Sequence, residues 1–366
     1  FMGGADDIAS RTLDALGTAD APDMIVAYQD AAARIEEAGG RLDLSGLYAS
    51  PAWGLSADEI ADFNPAYLAQ DVFTSMDEKR LGLATNRSME ILYYNVDWLN
   101  ELDLSYGGPP ATPDEFRAAA CRASETTFSR VPGVTAPVGY EISTDASTFS
   151  AWIFAFGGSL YDEENGRFTY DSPEAIQAAE YLQMLVADGC ARVVTEPYAD
   201  QDNFGAGTTL FTTGTSSGLP FYERAVRGGP GFEWGVSMLP HTTTPVMNLY
   251  GPSISLSENT PERKLAAWLF LKYLLTPDAQ ARWAQSSGYF PARQGAIDTL
   301  RPFLEANPKY ASALSFTSYG RSEPALRGYD DVRGLVSRAF IDILVGVDVE
   351  RRLSGLALDA TDLVTR

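Results

Sequence analysis

The side chains that most often carry catalysis are scarce in this chain. Its 366 residues hold one histidine, His241, and two cysteines, Cys121 and Cys190. A zinc centre built from His and Cys needs more ligands than these supply. Ser-His-Asp chemistry would have to run through His241, which follows Met238-Leu239-Pro240 in a loop-like stretch. Carboxylates abound, with 49 Asp and Glu, but no spacing marks an all-oxygen cation site or an acid pair for glycoside hydrolysis. No catalytic residue, metal or cofactor is therefore expected. The two cysteines form no CxxC motif. They fit either one disulfide in an oxidising compartment or two inert buried thiols.

What the chain offers instead is aromatic and polar groups at the ends of regular elements. The segment Thr260–Arg293 shows this best. Thr260-Pro261 and Thr276-Pro277 each read as an N-cap followed by proline at the first helical position. Leu265, Trp268, Leu269 and Lys272 recur at helical spacing, with Ala266, Tyr273 and Leu274 beside them. One broad apolar face is expected, with Trp268 and Leu269 in the core. Gly288 reads as a glycine C-cap. Tyr289-Phe290-Pro291 then presents an aromatic turn, which suits either a buried plug or the lip of a ligand cleft.

The length predicts two domains. An apolar content of 45%, with 18 Phe, 18 Tyr and 6 Trp, marks a well-packed chain without any apolar run long enough to span a membrane. The net charge of −22 disfavours nucleic acid and anionic lipid as partners. No secretory leader pattern is visible at Phe1-Met2-Gly3-Gly4, which reads as the start of a mature, trimmed or incompletely represented form.

Strand and helix character alternate. A helix is expected over Ala5–Leu16, a buried parallel strand over Asp23–Tyr28, and a helix over Ala31–Glu37 ended by Gly39-Gly40. Strands are expected at Leu81–Thr85, Glu90–Asn95, Thr208–Thr213, Gly235–Leu239 and Ser253–Leu256. Thr112-Pro113-Asp114-Glu115 carries a capping box. Trp152, Phe154 and Phe156 form an aromatic cluster. Asp162–Phe168 reads as an exposed hairpin turning at Asn165-Gly166, and Ser172-Pro173 starts a helix that ends at Gly189. Gly/Pro breaks at 107–110 and 228–231 bracket a middle block, as in a chain that leaves one domain, builds another and returns.

Six segments in order, GTADAPD (17–23), ILYYNVDW (91–98), TPDEF (112–116), FGAGTTLFTTGTSSG (204–218), WGVSMLP (234–240) and Thr260–Arg293, together with Asn95–Leu104, carry a resemblance. The chain resembles the bacterial extracellular solute-binding proteins of family 1, receptors of carbohydrate ABC importers. Within that group it is similar to the glycerol-3-phosphate-binding type. The resemblance implies an α/β, two-lobed periplasmic-binding-protein fold (type II) with a ligand cleft between lobes joined by a hinge. It implies an N-terminal lobe of 1–95 plus 248–293, a C-terminal lobe of 96–240 plus 300–366, and hinge segments near 93–97 and 240–250. In relatives a βαβ unit precedes the segment matching Phe1–Gly4; here either that unit is missing from the sequence given or the lobe is altered.

Sugars need aromatic faces for their C–H surfaces and paired polar groups for their hydroxyls. Tyr28, Gln29 and Asp30 end the DMIVAY strand. Gln29 stands where the glycerol-3-phosphate type often carries an acid, and Asp30 reads equally as a helix N-cap. Ser88 matches a ligand-contacting serine, with Arg87 beside it as an added donor or an ordinary surface arginine. Ser216 and Ser217 precede the helix LPFYERAV, whose start either caps or binds ligand oxygens. Tyr250 and Gly251 lie in a turn that in relatives brings backbone N–H groups to the ligand. Tyr289 matches a ligand-contacting tyrosine. Arg327 lies near an arginine that pairs with phosphate, or makes a surface salt bridge. Trp152 is the stacking candidate of the second lobe or a core tryptophan, with Asp145 and Phe149 weaker. Phe1 lacks the hydroxyl of a ligand tyrosine in relatives.

The resemblance implies a non-enzymatic, monomeric receptor that takes a sugar, sugar alcohol or glycerophospho-compound and presents it to a membrane permease. It implies export, to the periplasm or to a lipid-anchored place outside the cell, and so a Cys121–Cys190 disulfide. The alternatives are a secreted carbohydrate-active hydrolase and a lectin-like surface module without a transporter.

Overall fold

A computed structural model describes residues 5–104, 107–196 and 198–365. The chain divides into two compact units. The first holds residues up to Ser88, Tyr250–Ala306 and Ser322–Asp331. The second holds Met89–Leu249, Asn307–Arg321 and residues from Val332 onward. The long strand Asn86–Asn95 thus begins in the first unit, and the division falls at Ser88/Met89 rather than at Asn95. From Glu90 onward the strand's backbone partners, 211–215 and 234–237, all belong to the second unit, which is why the boundary comes early.

In the first unit the strand Met24–Ala27 pairs with Ser253–Leu256, with Met24 opposite Leu256 and Ala27 opposite Ser253. The pairing is antiparallel, not parallel. Val26 is 49% exposed, while the opposite face of this two-stranded ribbon is covered at Ile25 and Ala27. That face packs on the helices Ala5–Ala15 and Gln29–Ile35 through Ala9, Ile25, Ala27, Ala31 and Ile35. The second helix winds on as a π-turn, Glu36–Gly40, where Gly39 takes φ 94°. Leu81–Thr85 is not a strand. It makes one isolated bridge, Leu83 to Ile254.

The helices Pro261–Leu274 and Pro277–Ser287 begin where the sequence places them. Thr260 and Thr276 accept from the N–H groups of Arg263 and Ala279. Gly288 closes the second at φ 77°, a conformation that favours glycine. The buried stripe differs from the expected one. It runs through Lys264, Ala267, Trp268, Leu271 and Leu275, while Leu269 and Tyr273 are 44% and 55% exposed. Polar anchors set this rotation. Lys264 Nζ donates to the carbonyls of Arg41 and Asp43 (2.5 and 2.9 Å), Trp268 Nε1 to Trp53 O (2.8 Å) and Lys272 Nζ to Gly54 O (2.7 Å). A long lysine stem covers apolar surface while its ammonium satisfies loop carbonyls, so a lysine takes a place in the buried stripe.

The second unit is built on a mixed sheet. Its strand order is Gly320–Ser322, Met247–Tyr250, Asn86–Asn95, Thr209–Thr215, Val138–Ile142 and Ala191–Val193, with Trp234–Ser237 also on Asn86–Asn95. Val138–Ile142 runs parallel to both neighbours, and Asn86–Asn95 antiparallel to Thr209–Thr215. The helix Pro113–Ser124 starts at the Thr112/Glu115 capping box. It lies directly on the sheet, since a Cβ on Gly139 would meet Ala120 O at 1.9 Å. Cys121 on this helix is disulfide-bonded to Cys190, next to the strand Ala191–Val193. The hairpin Tyr161–Asp162 with Arg167–Phe168 and the helix Pro173–Ala187 also form as the sequence reads.

Candidate functional site

In the first unit the ends of two paired strands bring two tyrosines together. Tyr28 follows Met24–Ala27 and Tyr250 precedes Ser253–Leu256. Their rings stack at 4.8 Å between centroids with 13° between planes. Both are half-buried, and Tyr329 meets Tyr250 edge-on at 6.4 Å. Tyr28 is the N-cap residue of the helix Gln29–Ile35, so Asp30 is not the cap. Asp30 lies buried in the first turn.

A buried polar ring backs this pair. Gln29 Nε2 donates to Asp71 Oδ1 (3.1 Å) and to Gly251 O (3.4 Å). Ser253 Oγ donates to Asp71 Oδ2 at 2.6 Å. Arg87, wholly buried, donates from Nε to Gln70 Oε1 (2.5 Å) and from one terminal nitrogen to Asn86 O (2.9 Å) and Pro252 O (2.8 Å). Its other terminal nitrogen reaches Ser253 Oγ (2.8 Å) and lies 3.8 Å from Asp71. Burial lowers the guanidinium pKa and the Asp71 carboxylate opposes that shift. An arginine stays charged at any working pH regardless. The same burial, only partly offset by Arg87, raises the pKa of the nearby Tyr67 phenol and keeps it neutral.

Arg87 is thus neither a surface arginine nor a donor held open for a ligand. Ser88, its neighbour on the strand, is also buried, and no partner for its hydroxyl is found among the described residues. Arg327 is 56% exposed and pairs with Glu37 at 3.0 Å, a surface salt bridge. Tyr289 is half-buried after the Gly288 turn, and its N–H donates to Ser287 Oγ (3.3 Å). Phe1 lies outside the described residues.

In the second unit Trp152 is fully buried. Its indole N–H donates to Tyr140 Oη (3.0 Å), itself 2.8 Å from Thr213 Oγ1, and its ring packs against Phe116 and Tyr181. It is a core tryptophan with a satisfied N–H, and no face of it is presented at a surface. Phe149 is likewise core, stacked on Phe340 at 4.7 Å. Asp145 N-caps the helix Ala146–Ala155 and receives Arg333 at 3.2 Å. Ser216 is buried and accepts the Met89 N–H at 3.1 Å. Ser217, half-buried, is 3.1 Å from Thr215 Oγ1. The turn they form, Ser216–Gly218, leads into the helix Leu219–Gly228.

Sequence reading missed Gln70, Asp71 and Ser253, the partners of Arg87, and Glu90, a buried carboxylate that accepts from Thr148 Oγ1 at 2.8 Å. Glu90 opens an otherwise apolar strand, which was the available signal. Gln70 and Asp71 carry none, because they meet Arg87 through tertiary packing alone. Among the described residues no group of His, Cys, Asp and Glu is disposed to hold a metal ion. His241 Nδ1 lies 3.0 Å from Leu239 O.

Two α/β units exchange the chain more than once, and aromatic and polar residues stand at the strand ends of the first. Residues 2–312 match the family described as bacterial extracellular solute-binding protein, and the chain belongs to that family. A putative binding protein of Brucella abortus is 24% identical over 306 residues, which cover 81% of this chain and 70% of that protein. The sn-glycerol-3-phosphate-binding periplasmic protein UgpB of Escherichia coli K12 is 25% identical over 236 residues, covering 61% of this chain and 52% of UgpB. Among solved structures, the cyclic alpha-maltosyl-1,6-maltose binding protein of Arthrobacter globiformis superposes with a TM-score of 0.80 at 20% identity, over 99% of this chain and 89% of that one. No helix among the described residues is long and apolar enough to cross a membrane.

Proposed function

We propose that this protein is the substrate-binding component of an ABC importer, exported and monomeric, and that its ligand is an uncharged sugar or sugar alcohol delivered to a membrane permease. The observation that carries the uncharged ligand is the state of the two arginines nearest the expected contacts. Arg87 spends its donors inside the first unit, and Arg327 is paired with Glu37 on the surface. A phosphate held without a free guanidinium or ammonium would be desolvated beside the buried carboxylates Asp30 and Asp71, which is costly. A neutral ring needs only an aromatic face and hydroxyl partners. Tyr28, Tyr250 and Tyr289 supply the first, and the Ser88 hydroxyl and the Gly251 N–H the second. The sugar ligand named for the Arthrobacter receptor supports this reading.

A second reading, a glycerophosphate ligand, is favoured by the likeness to UgpB. A thermal-shift panel separates the two. Glucose, tagatose, maltose and maltotriose are tested against sn-glycerol 3-phosphate and glycerophosphocholine. Stabilisation by a neutral sugar is expected, by roughly 3–4 kcal/mol at a hundred to a thousand times Kd. Stabilisation by the phosphates alone would replace the first reading with the second.

A further inference from the structure

We propose that Arg87 is a positioning residue that holds the Tyr28–Tyr250 pair in its stacked geometry without touching the ligand. Its role in binding rests on the proposed function, but its role in holding the pair does not.

The guanidinium reaches three parts of the chain that are remote in sequence. It ties Gln70, the strand start at Asn86, and the turn at Pro252 and Ser253. Ser253 Oγ passes the link to Asp71, and Asp71 passes it to Gln29, the residue after Tyr28. Gln29 closes the ring by donating to Gly251 O, the residue after Tyr250. Both tyrosines are thus neighbours in sequence to members of one buried circuit. Packing adds to the hydrogen bonds. A Cβ on Gly251 would lie 3.4 Å from Arg87 Cδ, so the arginine stem lies against this turn.

The planar fork is what allows the arrangement. Five donors in one plane serve a side-chain amide, two carbonyls and a hydroxyl at once. A lysine carries three donors on one point and cannot reach all four. The turn 250–252 and the entry to the helix Gln29–Ile35 would then separate, and the ring stack with them. Preorganisation of this kind lowers the ordering cost of binding and not only the energy of the fold.

The test uses the full chain with Arg87→Lys, Ser253→Ala and Tyr250→Ala, singly and as the pair R87K/Y250A. Affinity for the best neutral sugar of the panel is measured well below each variant's Tm. R87K should weaken binding about tenfold and S253A about threefold. In the Y250A background R87K should weaken it by less than about twofold, because the pair it positions is already gone. A lowered Tm with unchanged affinity, or an equal loss in both backgrounds, would overturn the proposal. S253A removes one hydroxyl and guards against a fold failure of R87K. Near-UV circular dichroism gives an arm that needs no ligand. The tyrosine difference signal between wild type and Y250A should vanish in R87K. Its persistence there would overturn the proposal, even if no sugar binds the wild type. The absence of sugar binding alone would instead count against the proposed function.

Discussion

At the residue scale the informative outcome is which arginines, tyrosines and acids are already committed. Arg327 forms an exposed pair with Glu37, and pairs of that kind contribute little. Arg327→Ala should leave ligand affinity unchanged and shift stability by less than ~0.5 kcal/mol, read by titration and urea unfolding. Tyr289→Ala should weaken sugar binding severalfold; unchanged affinity would remove Tyr289 from the site. Glu141 gives a pH signature. It is buried on the strand Val138–Ile142, and burial raises its carboxyl above the usual 4.5, although Arg192 and Asn203 partner it. Between 4.5 and the raised value the folded state binds more protons than the unfolded state. Stability therefore falls as pH rises through that window, by at most ~1.4 kcal/mol per pH unit from this group. Glu141→Gln should flatten that slope in urea titrations carried upward from about pH 4.5.

At the element scale, start signals were legible and faces were less so. Thr112, Ser172, Thr260 and Thr276 all cap helices where the sequence places them, because capping is a local interaction within four residues. The buried stripe of Pro261–Leu274 was legible only in part. Trp268 is buried as its spacing indicates, but Leu269 and Tyr273 lie outward, because Lys264 and Trp268 turn inward to reach loop carbonyls that only the tertiary structure supplies. The strand Met24–Ala27 likewise read as parallel, since an apolar run does not specify the direction of its partner. Thr112→Ala should cost about 1 kcal/mol through loss of the cap. The disulfide closes a sequence separation of 69 residues between the helix Pro113–Ser124 and Cys190. Chain entropy assigns such a loop about 4 kcal/mol. Cys121→Ser with Cys190→Ser should lower the unfolding midpoint accordingly, and an unchanged midpoint would deny the bond a stabilising role.

At the scale of the whole molecule, two α/β units were legible from length and from the order of matching segments, whereas the Gly/Pro breaks at 107–110 and 228–231 both fall inside the second unit. The return of residues 322–331 to the first unit was not, because nothing local marks it. Of the candidate site, Tyr28 was legible as a strand-end residue and Tyr250 as a turn residue, but not their stacking. Arg87 was legible as a charge, but not as a buried one, since its acceptors at 70, 252 and 253 come from distant parts of the chain. Trp152 could not be assigned between core and ligand until its N–H was seen on Tyr140. The central claim is that the protein binds an uncharged sugar or sugar alcohol and releases it unaltered. Isothermal titration with the neutral panel, followed by chromatography of the recovered ligand, tests it most directly. The account predicts saturable one-to-one binding of a neutral sugar that is recovered intact after hours. Conversion of that sugar, or binding confined to the phosphorylated compounds, would contradict it.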